Sequence, residues 1–148
     1  MPERETLRRA AKDKAEGKSP STQAGEFVHE EIEHIREGKH GARSAKQAIA
    51  IGLSKARRAG VKLPPPKKGQ ASKETREQAK RDVKKGRKAA KKKSSAKRSR
   101  AALNALKHEG RSAASKIALS RHAHKAAAKR SAASRSRSAR KAAATRKK

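Results

Sequence analysis

The chain has 148 residues, a net charge of +31 and no cysteine. Leu, Ile, Val and Phe together number 15, about a tenth of the chain, and nine of them lie between residues 27 and 63. Because so low a share with high net charge favours disorder, the sequence predicts at most one small core. The lack of cysteine excludes disulfides and thiolate metal sites, and no apolar run approaches transmembrane length.

Charge is distributed unevenly along the chain. Residues 1–66 contain 14 Lys/Arg and 9 Asp/Glu, whereas residues 67–148 contain 30 and 4. Such asymmetry is typical of a tail that binds a polyanion. The N-terminus lacks the hydrophobic segment of a signal peptide, so we expect a cytoplasmic protein, for which nucleic acid is the abundant polyanion.

The first predicted region, residues 1–24, combines a short helix with a linker. Residues 3–16 are predicted to be helical because Pro2 lies near the start and Gly17 just past the end. Residues 18–24 are polar and are predicted to form the linker.

The second predicted region, residues 25–62, is a helical hairpin that contains most of the large apolar side chains. Val28, Ile32 and Ile35 recur at helical spacing and define one apolar face. Gly38 and Gly41 then supply the backbone freedom that a tight turn requires. We therefore expect this first helix to end near residue 38.

The second helix of the hairpin is predicted to begin after Ser44, which stands three residues before Gln47 in capping-box spacing. Its apolar stripe is rich in small residues, including Gly52, which permits close approach of a partner helix. Gly60 is predicted to follow its C-terminus. Ile51 lies off the stripe, either as a singly exposed residue or as part of a homodimer contact through the hairpin.

Residues 63–71 contain three consecutive prolines and are predicted to be a stiff polyproline II spacer, with docking in an aromatic groove of a partner as the alternative. Ser72 then begins a helical segment with a thin apolar line of Thr75, Ala79 and Val83. We expect that helix to be solvated or to form on a partner, and Gly86 to weaken it.

The final predicted region, residues 72–148, is a basic tail rich in Lys, Arg, Ala and Ser. Within it, KHEGRSAASKIA at 107–118 matches KHGARSAKQAIA at 39–50 at seven of twelve positions. This match indicates a degenerate second hairpin over 98–127, unless it is due to chance composition. Residues 92–100 are predicted to be flexible, and the low-complexity end to be disordered when free and helical on DNA.

These patterns together predict an all-α protein, with a small helical hairpin and a long basic C-terminal extension that is partly helical or disordered. One further feature is an acidic stripe on the first hairpin helix. It is interpreted either as a solvated face that pairs locally or as a surface that holds the basic tail back when DNA is absent; its members are Glu26, Glu30, Glu33 and Glu37.

No set of residues in the sequence is typical of catalysis, so the chain is predicted not to be an enzyme. His29 and His34 come nearest to a metal motif, but they are five residues apart, which turns them roughly 140° from one another on a helix. The sequence therefore predicts no metal site and no cofactor.

Phosphate contact is the chemistry that the composition favours. Lys and Arg displace counterions from nucleic acid, whereas base stacking requires aromatic residues and Phe27 is the only one. Duplex DNA is therefore favoured over single strands. The predicted nucleic-acid-binding residues are Lys46, Lys55, Arg57, Arg58, Lys84, Lys85, Arg87, Lys88, Lys91, Lys92, Lys93, Lys97, Arg98, Arg100, Arg111, Lys116, Arg121, Lys125, Lys129, Arg130, Arg135, Arg137, Arg140, Lys141, Arg146, Lys147 and Lys148.

Two resemblances add to this interpretation. The segment RSAKQAIAIGLSKARRAGVKLP at 43–64 resembles the core of a family of short, basic bacterial proteins of unknown function. From about Lys85 onward, the composition is similar to that of bacterial linker-histone-like proteins and linker-histone tails. The second resemblance implies non-specific DNA binding and compaction, and neither assigns a role to any residue.

The leading functional hypothesis is a histone-like, nucleoid-associated protein that binds double-stranded DNA without sequence specificity and does not bind membranes. One alternative is a structural RNA-binding or ribosome-associated protein, since the same charges attract RNA phosphates. Another is a protein-interaction hairpin with a basic tail that serves for localisation.

Overall fold

The computed structural model describes residues 2–87 and 95–146. The regular elements there are helical, which confirms the all-α prediction. Most of the described tail residues are helical as well, including residues 96–100, which were predicted to be flexible, and much of the low-complexity end, which was predicted to be disordered when free. The elements are α1 (Arg4–Ala15), α2 (Pro20–Arg36), α3 (Ala45–Arg58), α4 (Lys73–Arg87), α5 (Ala96–Lys107), a 3-10 helix (Ser112–Ala114), α6 (Lys116–Ala128) and α7 (Ala132–Arg146).

The connection between α1 and α2 is shorter than the sequence predicted. Helix α1 ends as expected, before Gly17 at φ 70°. The prediction of a linker over 18–24 is wrong from residue 20 onward, because Ser19 caps α2 by accepting a hydrogen bond from the Thr22 N–H at 3.3 Å. Pro20 occupies the first turn, where its missing N–H leaves no donor unsatisfied.

Helices α2 and α3 form the predicted hairpin and lie unusually close together. Ser44 caps α3 by accepting from the Gln47 N–H at 3.2 Å, as its spacing predicted. A Cβ built on Gly52 would lie 2.7 Å from the Val28 Cα, so only glycine permits this approach. The small residues of α3 therefore do what the sequence indicated: they allow close helix packing.

One side of the hairpin packs against α1 and the proline-rich segment. Phe27, Ala24, Ala10 and Ala56 form the buried cluster, and Val61 and Leu63 pack on it. The predicted spacer thus begins as part of the core instead of extending away from it.

The other side of the hairpin packs against residues 106–119. Ile32, Ile35, Ala42 and Ala48 are buried together with Ala113 and Ala114, and Leu119 packs on them. The backbone N–H groups of Gly41 and Ala42 donate to the carbonyl oxygens of Leu106 and Gly110, at 2.9 and 3.0 Å. Part of the tail is therefore docked on the hairpin turn.

The segment of the predicted second hairpin, 98–127, contains α5 from residue 98 on, the 3-10 helix and most of α6, but α5 and α6 do not pack extensively against each other as the two helices of a hairpin would. Its register differs from the sequence match, which pairs Ser44 with Ser112, because Ser115 is the residue whose side chain caps α6. Ser112 instead begins the 3-10 helix. This second unit folds against the first, since the 3-10 helix contacts α2 and α3 and α6 contacts α3.

Helix α4 packs on α3, contrary to the expectation of a solvated helix. Ala79 and Asp82 are buried in this contact. Gly86 was expected to weaken the helix, but a Cβ there would lie 2.1 Å from the Arg57 carbonyl oxygen. Its role is to let the C-terminal ends of α3 and α4 meet.

Candidate nucleic-acid interface

The predicted nucleic-acid-binding residues fall into three groups in the structure. The first group lies on α3 and belongs to the folded hairpin. The second group lies on α4, and the third lies in α5–α7 and their connecting turns. A further set lies outside the described residues: Lys88, Lys91, Lys92, Lys93, Lys147 and Lys148.

Two of the four predicted residues on α3 are used inside the fold. Lys55 Nζ lies 2.6 Å from Glu31 Oε2 and 3.3 Å from Glu30 Oε1, and its side chain is only 19% exposed. Arg57 is buried and donates to the Pro64 carbonyl oxygen at 3.3 Å. The sequence predicted that Lys55 and Arg57 contact phosphates. In the structure, both side chains instead make contacts that stabilise the hairpin.

The other two residues of α3 reach solvent. Arg58 is half exposed and pairs with buried Asp82, with Nε 3.2 Å from Oδ1. Lys46 is exposed near the start of α3 and forms no ion pair with any residue that the structure describes. Of the α3 set, Lys46 is therefore the residue most available to an external anion.

The predicted residues of α4, namely Lys84, Lys85 and Arg87, lie exposed in its last turn. None of the three forms an ion pair within the described ranges, although Glu77 on the same helix pairs with Lys80 at 3.1 Å. This end of α4 is basic and free of acidic partners.

The largest group is uniformly exposed. Residues 95–146 contain fifteen Lys/Arg and one acid, Glu109. Within the described part of the chain, none of these cations is ion-paired. The predicted residues in this group are Lys97, Arg98, Arg100, Arg111, Lys116, Arg121, Lys125, Lys129, Arg130, Arg135, Arg137, Arg140, Lys141 and Arg146.

Some exposed cations were missed by the sequence prediction. Lys107, the last residue of α5, is exposed and belongs to the same basic group, and a count of charges along the sequence could have identified it. Arg43 and Lys62 are exposed beside the hairpin, but they are isolated in the sequence, so no charge run indicated them.

The acidic stripe of α2 pairs within residues 1–66. Glu26 Oε2 lies 2.8 Å from Arg9 Nε, Glu33 Oε1 2.9 Å from Arg36 Nη1, and Glu37 Oε2 2.9 Å from Lys39 Nζ. These contacts match the interpretation of local pairing. Among the described residues, the stripe forms no ion pair or hydrogen bond with the basic tail, which favours local pairing over the idea that the stripe holds the tail back.

Glu30 differs from the rest of the stripe because it is buried rather than solvated. Burial alone raises the pKa of its carboxyl, but hydrogen bonds from the Thr6 hydroxyl and the Glu3 N–H, together with Lys55, outweigh that effect. The net pKa lies below its ordinary value. Glu30 is thus an ionised structural group that ties α1 to α2 and α3.

The single aromatic side chain is not available to bases. Phe27 is 1% exposed and lies in the core together with Ala10 of α1. Contacts with nucleic acid would therefore come from cations and backbone groups, which engage phosphates without reading bases.

Comparison with known proteins gives one family match. Residues 13–68 are similar to a family of unknown function (DUF6496). The matched segment runs from within α1, through the hairpin, to the end of the proline-rich segment, and α4–α7 lie beyond it.

Searches of curated proteins and of solved structures give no match to the chain. Within the described ranges, the helices are too short or too polar to span a membrane.

Proposed function

We propose that this protein binds double-stranded DNA without sequence specificity, as a histone-like, nucleoid-associated protein, by neutralising phosphates with its basic C-terminal part. The observation that carries the proposal is the exposed, unpaired state of the fifteen Lys/Arg in residues 95–146, with Glu109 as the single acid among them. Each phosphate that such a cation neutralises releases condensed counterions, which favours binding.

The shape of this region supports backbone contact. Helices α5 and α7 bury none of their residues, so their surfaces are available along their whole length. Successive helical residues are turned by about 100°, which puts Arg135 and Arg137 on nearly opposite sides of α7. A helix with cations all round is suited to lie between two duplexes and bridge them.

The folded hairpin contributes less charge to this function. Most of its acidic side chains form local ion pairs. Lys55 and Arg57 make contacts inside the fold, so they are not available to phosphates. In this proposal it anchors the tail: residues 106–114 dock on its turn and fix the start of α6 relative to α3.

Two charge-matched variants of the full chain test the proposal. One replaces five α7 cations with glutamine: Arg135, Arg137, Arg140, Lys141 and Arg146. The control replaces five exposed cations without ion pairs in residues 2–87 with glutamine: Arg4, Arg8, Lys14, Arg43 and Lys62. Both have the same net charge, so any difference between them reflects position rather than charge.

The measurement is affinity for a random-sequence duplex across a salt series. If all five α7 cations contact phosphates, the slope of log K against log salt becomes shallower by about 4 to 5 in that variant and changes far less in the control. Equal changes would contradict the proposal. Competition with folded RNA at equal phosphate concentration tests the duplex preference, and preferential RNA binding would favour a ribosome-associated role instead.

A further inference from the structure

A cluster of potential metal ligands lies at the C-terminal end of α2. Glu31, His34 and His40 each present one ligand atom, and these three atoms lie within 4.8 Å of one another. Glu31 and His34 are one helical turn apart on α2, and the turn after Gly38 brings His40 back towards them. The sequence pointed to His29 and His34, whose spacing is wrong, and missed the partner contributed by the turn.

The distances suit a small transition-metal ion. Glu31 Oε1 lies 3.3 Å from His40 Nε2. Two ligands bonded to tetrahedral Zn²⁺ at about 2.0–2.1 Å are separated by roughly 3.4 Å, so this pair already has the required spacing. The rings of His34 and His40 meet edge to face, with centroids 6.1 Å apart and an angle of 86° between their planes.

A second observation concerns the carboxylate of Glu31. Its side chain is 1% exposed, and neither oxygen accepts a hydrogen bond of good geometry from the described residues. Lys55 Nζ lies 2.6 Å from Oε2 and balances part of the charge, but Oε1 faces His40. A buried carboxylate oxygen without a hydrogen bond is costly, and a bound cation would remove that cost.

The two imidazoles are largely buried, with 13% of the His34 side chain and 9% of the His40 side chain exposed, and they are partly held in place. His34 Nε2 lies 2.9 Å from Glu3 Oε1, an arrangement by which a carboxylate orients a histidine ring. His40 lines a surface cleft together with Gly38, Gly41 and Arg111. The cleft brings solvent to the His40 side of the cluster.

We propose that Glu31, His34 and His40 bind one divalent transition-metal ion of the zinc type. Two imidazoles and one carboxylate are a donor set that Zn²⁺ uses, whereas Mg²⁺ and Ca²⁺ prefer oxygen ligands alone. The ion joins the end of α2 to the turn that leads into α3. Its effect is to stabilise the hairpin, and it is independent of the proposed DNA binding.

The test is a titration of the nucleic-acid-free full chain with Zn²⁺ near neutral pH, read by calorimetry and by thermal unfolding. We expect one Zn²⁺ per chain and a rise in Tm that Mg²⁺ does not produce. Co²⁺ in its place is expected to give visible absorption of a nitrogen- and oxygen-ligated site. Absence of saturable one-to-one binding by the unmodified chain would overturn the proposal, whatever the variants do.

Single substitutions identify the ligands. His34→Asn and His40→Asn each remove one imidazole and are expected to weaken Zn²⁺ binding at least tenfold, while helical circular dichroism without metal stays unchanged. The matched control is His29→Asn, because His29 lies exposed on the same helix outside the cluster. Equal weakening by the control, or none by His34→Asn and His40→Asn, would contradict the assignment.

Discussion

The body of the molecule (residues 2–87) and its C-terminal part (residues 95–146) are both helical and both basic, but their charges have different partners. In the body, Asp and Glu side chains pair with Lys and Arg between helices, as Glu30 and Glu31 do with Lys55. In the C-terminal part, Glu109 is the single acid, and the described cations are exposed. The placement of acidic residues, more than the number of cations, therefore decides which cations belong to the fold and which remain for a partner.

The two parts also differ in burial, and they meet at one place. The body has a large aromatic and two large aliphatic anchors, Phe27, Ile32 and Ile35, whereas the buried residues of the C-terminal part are Ala113 and Ala114. Those alanines pack beside Ala42, next to the backbone hydrogen bonds of the hairpin turn. The docked turn therefore connects the buried core of the body to helices that have little packing of their own.

The largest expected effect comes from removing a buried acid of the body. Asp82 accepts from the Ser54 hydroxyl at 2.7 Å and from Gln78 at 3.1 Å, and it pairs with Arg58. Asp82→Ala is expected to lower the free energy of unfolding by about 3 kcal/mol in urea titration. Glu77→Ala, which removes an exposed pair on the same helix, is expected to cost less than about 0.5 kcal/mol. If both variants lost the same unfolding free energy, the distinction between structural and solvated acids would not hold.

The close packing of α2 and α3 is tested by two glycine substitutions of opposite expected sign. Gly52→Ala puts a methyl group 2.7 Å from the Val28 Cα and is expected to cost about 1–3 kcal/mol. Gly25→Ala, on an open surface of α2, is expected to stabilise by about 0.5–1 kcal/mol because alanine favours helix. Thermal and urea unfolding measure both, and stabilisation by Gly52→Ala would contradict the close approach.

The junction between the two parts is tested at Gly41. A Cβ there would lie 1.9 Å from the Glu109 carbonyl oxygen, so Gly41→Ala is expected to displace residues 106–114 while α2 and α3 stay paired. The Ala42 amide, which donates to Gly110, is expected to exchange at least tenfold faster, equivalent to about 1.4 kcal/mol. Gly110→Ala meets only Ser112 Oγ at 4.0 Å and serves as the control. Unchanged exchange in Gly41→Ala would show that the docking is not formed in solution.

The smallest effect concerns pH. Glu30 has a folded pKa below its ordinary value, so its contribution to stability is present above that ordinary value and is lost as the pH falls through the folded pKa. Urea unfolding between about pH 7 and pH 3 should therefore show a smaller loss of stability in Glu30→Gln than in the unmodified chain. Glu33→Gln, at an exposed position of α2, is the control. If all three proteins lost the same unfolding free energy between about pH 7 and pH 3, Glu30 would not be a stabilising, ionised group.

Local signals in the sequence predicted much of the fold. Gly17 and Gly60 mark helix ends with φ of 70° and 97°, and the cap at Ser44 is formed as its spacing indicated. The beginning of α2 was missed because the polar composition of residues 18–24 concealed the Ser19 cap and Pro20. These features depend on neighbours within one turn, which is why sequence spacing is informative for them.

Long-range features were not predictable in the same way. Lys55 and Arg57 are in the last turn of α3, where cations interact favourably with the helix dipole, so their presence in the sequence does not indicate burial. Their internal position becomes apparent only from the contacts with α2 and Pro64. The docking of Gly41 on residues 106–110 and the meeting of His40 with Glu31 likewise join segments through tertiary packing. Exposure of the α5–α7 cations was expected from composition, because that region has few apolar residues to bury.

Lysine footprinting on the unmodified chain shows whether DNA contacts the cations of the C-terminal part. Acetylation rates with and without duplex DNA, read by mass spectrometry, compare exposed lysines of the two parts. We expect strong protection of Lys116, Lys125 and Lys141, with little change at Lys14 and Lys62. Protection concentrated at Lys14 and Lys62, with Lys125 and Lys141 unchanged, would contradict this expectation and make the body of the molecule the binding unit.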